Sequence, residues 1–449
     1  MKKLCLFLII SKLAFAQTIS FEEALNQTIE NSKDLQKQKI NIDIAKTNSD
    51  FIDGVNFGKV SLNSDISRTN HSGYVFMGKL SSREATFKDF GFAPNIEDMN
   101  IAPKDLNYPD SYTSINSYIS YDLPLFTGFA LYHQKGILKL QEKANEILYN
   151  LDKKTLEFEV LKAYNSAVLA KDFVKTMQKA KDTIGFIKNG AKEFHKNGLV
   201  TKIDVNEAEL YFLNTNSNLI EAENNFKLSL AYLKFLTSNE NISDVENLQN
   251  TYLEIKEFED LYKIALKNRD EITLQNISIE ANNKNIKANQ GSYYPSVFTH
   301  LEYGYNDDKF STSKDKDYYM ALLGISLTLF DGTRSANLEK SRLEYLKAKL
   351  DFEKLQDGIK LEVQKAILDY KAKQEILKEK ILASELASSV LNQAKLQYKN
   401  RLISMTTLLS QETNYRQSQT MLLNAKYENS LALARLNLVL GQNLQKDYK

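Results

Sequence analysis

Two periodicities divide this chain. Apolar residues alternate with polar ones at Val60, Leu62 and Ile66, against Lys59, Ser61, Asn63, Asp65 and Ser67. The pattern returns from Ser114, with Ile115, Ile119, Tyr121, Leu123 and Leu125 against Ser114, Asn116, Ser120 and Asp122. It appears twice more: Val297, Leu301, Tyr303 and Tyr305 oppose Ser296, His300, Glu302 and Asn306, and Leu323, Ile325, Leu327 and Leu329 oppose Gly324, Ser326 and Thr328. Period two predicts four strands with one apolar and one polar face. The same alternation suits a soluble antiparallel sheet or a membrane barrel with a wet interior.

Elsewhere the period is helical. Val205, Ala208, Phe212, Thr215, Leu219, Ala222, Phe226, Ser229, Leu233 and Leu236 are spaced three and four alternately. Leu408, Gln411, Tyr415, Ser418, Leu422, Ala425, Asn429, Ala432, Leu436 and Val439 keep the same spacing. A 3.5-residue period predicts left-handed coiled-coil packing. Long stretches free of proline, from Gly128 to about Lys188 and from Thr333 to Asn400, predict helices of about sixty residues, or roughly 90 Å each. Ser20 and Glu23 form a capping-box signature, predicting a helix to about Ile52; its counterpart runs from Asp260 to about Asn289.

The pattern is written twice. Leu219, Ala222, Leu228, Leu230, Ala231 and Leu233 match Leu422, Ala425, Leu431, Leu433, Ala434 and Leu436. Residues 17–240 form a predicted first repeat with a β-hairpin at 58–126 and a helical turn near 196–204. Residues 260–443 form the second, with a hairpin at 293–330 and a turn near 398–408. A connector at 241–259 joins them and 444–449 is a tail. The pattern assigns no elements to the long Thr69–Asp110 loop.

Composition adds a destination. Met1-Lys2-Lys3, the apolar run Leu4–Ile10 and Ala14-Phe15-Ala16 read as a secretory signal peptide over residues 1–16. The single cysteine, Cys5, lies inside it, so no disulfide framework is expected. Removing Lys2, Lys3 and Lys12 leaves 55 of the 58 basic residues against 57 acidic ones, a net charge of −2. That balance gives no reason to expect a nucleic-acid partner. No later apolar run is long enough for a transmembrane helix, so an exported membrane protein of this sequence would cross as a closed barrel. Four strands are too few to close one, which favours a barrel shared among chains.

Catalytic patterns are missing: there is no H-E-x-x-H, glycine-rich phosphate loop or G-x-S-x-G elbow. His71, His133, His195 and His300 are scattered without ligand spacing, and His300 falls on a polar strand face. Neither an enzyme nor a bound cofactor or metal is expected.

Signal, capped helix, strand, long loop, strand, Pro124-Leu125-Phe126-Thr127-Gly128, helix, Gly198-Leu199-Val200 turn and return helix, followed by the same order again, is a distinctive set. With Leu329-Phe330-Asp331-Gly332 and Leu106-Asn107-Tyr108-Pro109, it resembles the TolC family of outer-membrane efflux channels from about Thr18 to Gln442. The resemblance implies a mixed α and β fold in an elongated homotrimer. Four strands per chain would form a twelve-stranded barrel in the outer membrane of a Gram-negative bacterium, with a helical coiled-coil barrel in the periplasm. It also implies a periplasmic adaptor and an inner-membrane transporter as partners, and outer-membrane lipid around the barrel.

Carried over residue by residue, Asn197, Gly198 and Leu199 with Asn400, Arg401 and Leu402 correspond to the adaptor-docking tips. Asp204 and Tyr398 correspond to gate residues whose hydrogen bond between hairpins would hold the tip closed; Asp204 could equally cap its own helix. Ile403 stands where some relatives carry an arginine, and Thr407 and Ser410 where some carry lumen aspartates, so an anionic ring is not expected. Pro124, Phe126 and Gly128 correspond to one strand-to-helix junction and Phe330 and Gly332 to the other. The expected function is the passive exit duct of a tripartite efflux pump. A type I protein-secretion duct of the same fold and a non-transporting coiled-coil envelope protein are the alternatives.

Overall fold

The computed structural model describes residues 17–92, 100–247 and 257–442. The expected signal peptide and C-terminal tail lie outside the described residues, as do parts of the first long loop and of the connector. In chain order the elements are β1 (Gln17–Ile19), α1 (Phe21–Asn31), α2 (Lys33–Asn56), β2 (Lys59–Thr69), α3 (Ser72–Ser81), α4 (Lys104–Asn107), β3 (Tyr112–Thr127), α5 (Ala130–Lys196), α6 (Lys202–Thr237) and β4 (Ile242–Val245). Then follow α7 (Phe258–Asn268), α8 (Asp270–Gln290), β5 (Ser296–Asp307), β6 (Asp317–Ser326), α9 (Arg334–Lys399) and α10 (Met405–Val439).

The chain divides into two compact units, Met1–Asn41 with Asn145–Asn276 and Leu350–Lys449, and Ile42–Ala144 with Ile277–Lys349. The first is helical. The capping box at Ser20 forms in both directions, each hydrogen bond 3.2 Å long. The helix expected to run from there to Ile52 is broken at Ser32, and its counterpart is broken at Arg269. Both break residues have extended backbone, ψ 117° and 125°, which ends one helix and lets the next start at once.

One core gathers Ile19, Leu25, Leu161, Tyr164, Leu233 and Ile242 around a two-stranded parallel pair of β1 and β4. The sequence pattern missed this pair, because strands of three and four residues are too short to show alternation. Tyr164 ties it down: its hydroxyl is 2.9 Å from the Ile19 carbonyl and 3.0 Å from that of Glu246. A second core packs Leu261 and Ala265 of α7 against Val363, Tyr370, Leu433 and Leu436 of α9 and α10. The seam positions on α6 and α10 are all buried or half-buried, as 3.5-residue packing requires. Among them lies a polar bond, Asn165 donating to Ser430 Oγ at 2.9 Å.

α5 and α9 extend over 67 and 66 residues, passing through Gly136, Gly185 and Gly190 in one and Gly358 in the other. α5 therefore continues eight residues beyond the expected end near Lys188. Single glycines cost a helix about 1 kcal/mol, which the packed faces of α5 outweigh.

The second unit holds an antiparallel sheet of order β2-β3-β5-β6. Its register sets Val60, Tyr121, Leu301 and Ala321 in one row and Leu62, Ile119, Tyr303 and Tyr319 in another. These rows share a face that is largely apolar and exposed, with Leu62 80% and Tyr319 84% accessible. Ser61, Ser120 and Glu302 form a row on the other face, beside Lys59, Asp122 and His300. A bulge between Pro124 and Phe126 shifts the register at the end of β3. The alternation expected through Leu329 stops at Ser326; Leu327 and Leu329 follow the strand, unpaired in the sheet. The long loop, unassigned from sequence, contains α3, α4 and a 3₁₀ turn at Phe87–Phe90.

Candidate functional site

The two helix-to-helix turns lie in one unit and share a backbone design. α5 ends in a Schellman-type cap: Leu199 N donates to Phe194 O at 2.9 Å and Gly198 N to His195 O at 2.9 Å, with Gly198 left-handed at φ 71°. α9 ends the same way. Leu402 N donates to Gln397 O and Arg401 N to Tyr398 O, both at 2.9 Å, with Arg401 left-handed at φ 64°. Asn197 closes the first cap by donating to Glu193 O at 2.8 Å. Asn400 donates its backbone N–H to Leu396 O at 3.1 Å. Leu199 and Leu402 are both exposed.

Each return helix starts with a hydroxyl cap. Thr201 and Asp204 form a capping box, with the Asp204 carboxylate accepting from Thr201 N at 2.8 Å and Thr201 Oγ1 at 2.7 Å. Ser404 accepts from Thr407 N at 3.1 Å, and the two hydroxyls are 2.9 Å apart. Below the turns Ile184, Ile187, Val205, Leu391, Met405 and Leu408 share a buried core, so the turns are held side by side. Thr406 of α10 donates to Glu207 of α6 at 3.0 Å, and the Phe194 and Tyr398 rings are 6.1 Å apart.

Within the chain, Asp204 spends its carboxylate on the cap. The Tyr398 hydroxyl is buried and has no hydrogen-bond partner among the described residues. Burial, and then the Asp204 charge, hold its ionisation above the usual tyrosine range. The bond between Asp204 and Tyr398 is therefore not made inside one chain. Thr407 is occupied in the second cap, and Ser410 is exposed on α10 one turn from it.

Two residues further along α10 lies a buried glutamate that no sequence pattern marked. Glu412 is 1% exposed, and its Oε2 has no hydrogen bond among the described residues. Arg416 Nε stands 3.7 Å away, too far for one. Both line a cavity of about 200 Å³ with Lys175, Lys179, Tyr415 and Gln419. Burial raises the Glu412 carboxyl above the usual carboxylate range, against the opposing charges of Arg416 and Lys395.

In the other unit, the polar face of the sheet carries a linked set. His300 Nδ1 lies 2.6 Å from Asp122 Oδ1 and its Nε2 3.2 Å from Glu302 Oε2. Tyr318 donates to Glu302, and its hydroxyl is 2.9 Å from Asn116 Oδ1. Asp122, His300 and Glu302 were legible as polar positions, but Tyr318 was not, since an aromatic residue gives no polar signal in an alternation.

The strand-to-helix junctions differ. In the first, Phe126 packs edge-on to Phe129 with ring centroids 5.0 Å apart. Gly128 there has φ 61°, and a Cβ on it would lie 2.2 Å from Gly291 O, so no side chain fits. In the second, Phe330 is 90% exposed and Gly332 has open space around it. Asp331 orders the start of α9 instead, accepting from Thr333 N at 2.8 Å. Among the described residues no helix is long and apolar enough to cross a membrane.

Residues 261–442 match the family model described as outer membrane efflux protein. No curated protein matches the chain. Among solved structures, the open state of the Neisseria gonorrhoeae MtrE outer membrane channel is similar at a TM-score of 0.75 and 15% identity, over 95% of this chain and 90% of that one. The Campylobacter jejuni CmeC outer membrane channel gives 0.74 and 15%, over 94% and 85%. The outer membrane protein VceC from Vibrio cholerae gives 0.74 and 14%, over 94% and 96%. At such identities these likenesses establish the fold along the chain, while the family match is confined to residues 261–442. The chain thus has the fold of these outer membrane channels, and its second half, residues 261–442, carries the outer membrane efflux protein domain.

Proposed function

We propose that three copies of this chain form the exit duct of a tripartite efflux pump in the outer membrane. The observation that carries the reading is the sheet. Its four strands end in the unpaired edges β2 and β6, so its backbone hydrogen bonding is incomplete in one chain. One face is apolar and exposed, suited to lipid, and the other carries the Asp122–His300–Glu302 set, suited to water. Joining edges among three copies gives three times four, or twelve, strands and leaves no edge. The element order strand, strand, long helix, return helix occurs twice, supporting a chain built from two repeats.

The helices point the same way. Leu361, Leu368, Leu382 and Leu396 are exposed on α9 at multiples of seven residues, an apolar seam that a neighbouring helix would cover. The exposed Leu199 and Leu402 at the paired turns suit docking to a periplasmic adaptor, which connects the duct to an inner-membrane transporter that supplies the energy. Asp204 and Tyr398 act as the lock at that end: in the closed assembly the unpartnered Tyr398 hydroxyl finds an acceptor across hairpins. Transport needs no catalytic group in this chain.

The test is reconstitution in planar bilayers with mass measurement in detergent. A trimer with discrete ion conductance is expected. A monomeric protein without conductance would sink the reading.

A further inference from the structure

Part of the first long loop packs on the sheet. α3 lies across the end of the sheet on its polar face: Gly78 presses on the Tyr112 ring, where an added Cβ would be 3.0 Å from the ring and 3.5 Å from Ser114 Cβ. Tyr112 and Ser114 share the face of Asn116 and Asp122, because side chains two apart on a strand point the same way. Val75 and Gly78 are buried toward the sheet, while Tyr74, Met77 and Leu80 are exposed on the rest of the helix.

A charged clasp fixes this position. Arg83, left-handed at φ 57°, donates to the carbonyls of Asp315 and Asp317 at 2.8 and 2.6 Å. In return Lys316, in the turn between β5 and β6, donates to Ser82 O at 2.7 Å and Glu84 at 2.8 Å. Tyr112 donates to Glu84 at 3.1 Å, locking the same corner.

We infer that α3 is a lid, and that the exposed Tyr74, Met77 and Leu80 of three copies meet over the barrel lumen and close its outer mouth. The inference rests on the channel reading, which places the polar face inside. The second copy is the fitting occupant because the open edges β2 and β6 leave ring closure to further chains. Closure turns every copy's α3 into one lumen. Geometry sets the tightness. Twelve strands about 4.8 Å apart, tilted about 40°, make a ring roughly 24 Å across. Three helices of about 10 Å diameter fill a circle of about 22 Å. Little room remains beside them, so small solutes pass the gaps between the helices and bulky ones do not. Releasing the clasp would let α3 swing off the face without touching the strands.

The test is thiol labelling on intact cells that make the full chain, whose only native cysteine is Cys5. Ser61→Cys puts a thiol on the polar face, paired opposite Ser120. It is probed with a small impermeant maleimide and with a polyethylene-glycol maleimide too bulky for the closed mouth. The small reagent is expected to label Ser61→Cys with or without Arg83→Ala and Lys316→Ala. The bulky reagent should label at least tenfold faster once those two substitutions are present. Equal rates with the bulky reagent would overturn the lid and leave the channel standing. No labelling by the small reagent in either background would show that the face is not a wet lumen, and channel and lid would fall together. Independently of the clasp variants, Met77→Cys with a short bis-maleimide should yield covalent dimers between copies. Absence of dimers in trimers of normal mass would refute the meeting of the three helices.

Discussion

Gly198 and Arg401 occupy the same place in the two helix-to-helix turns, both left-handed, at φ 71° and 64°. The conformation is free for glycine and costs a side-chain-bearing residue about 1–2 kcal/mol. Arg401→Gly should relieve that strain. It also gives the unfolded chain more freedom, which takes back about 0.4–1 kcal/mol, so a net stabilisation near 0.5 kcal/mol is expected. Gly198→Ala has open space around its Cβ and should destabilise by about 1 kcal/mol through backbone strain alone. Denaturant titration of the two variants checks both signs. Destabilisation by Arg401→Gly would mean that the arginine side chain holds the turn.

Asp204 has an observed role as a helix cap and a proposed one as a lock, and the two can be separated. Asp204→Ala removes the acceptor of the Thr201 capping box and should cost about 1 kcal/mol of helix stability whatever the assembly. Tyr398→Phe deletes a buried hydroxyl that has no partner among the described residues, so an isolated chain should lose nothing. In the reconstituted channel, the double variant should raise mean conductance above wild type, because the lock between hairpins is gone. Conductance unchanged in the double variant would reduce Asp204 to a helix cap.

How far the sequence carried depended on the length of each signal. The 3.5-residue seam of α6 and α10 and the ten-residue alternations of β2, β3, β5 and β6 repeat often enough to be read against noise. β1 and β4 do not, and α3 hides in a loop where Gly73 and Gly78 weaken a helical reading. Ser32 and Arg269 break helices without proline or glycine; the only local mark is the Ser32 hydroxyl, which accepts from Leu35 N at 3.3 Å. At the turns the caps were legible in Gly198, Thr201 and Asp204. The left-handed Arg401 was not, since only the parallel with the first turn points to it. Glu412 was unreadable: a glutamate on a long charged helix looks solvated until the opposing helices close over it.

Arg269 supports its own helix break. Its guanidinium is 11% exposed and bridges Glu271, at 2.6 Å, to Glu362 of α9. Burial alone would raise the Glu271 carboxyl, but the hydrogen bonds from Arg269 outweigh it and hold it below the usual range. The stabilisation is present above the unfolded carboxylate pKa and is lost as pH falls through the lower folded value. Arg269→Ala should therefore cost about 2 kcal/mol at pH 7. Arg269→Lys should recover little of it, because one ammonium cannot reproduce a fork that serves two carboxylates. Melting temperatures of both variants at neutral pH decide this; full rescue by lysine would show that charge alone matters.

Glu412 should behave in the opposite sense. Its folded carboxyl holds the proton more tightly than the unfolded one, so the folded chain binds more protons between the ordinary glutamate value and the raised one. Stability from this group is complete below the unfolded value and declines as pH rises through the folded value. Glu412→Gln keeps the shape and stays neutral at every pH. It should remove the decline and stabilise the chain by about 1 kcal/mol at pH 8, with little change at pH 4. Arg416 sets the limit of the gain, because its buried Nε loses a nearby opposite charge. Denaturation midpoints of wild type and Glu412→Gln between pH 4 and pH 8 give the comparison. Parallel curves would mean that Glu412 stays ionised when buried, with the cavity beside it supplying the solvation that its Oε2 lacks within the chain.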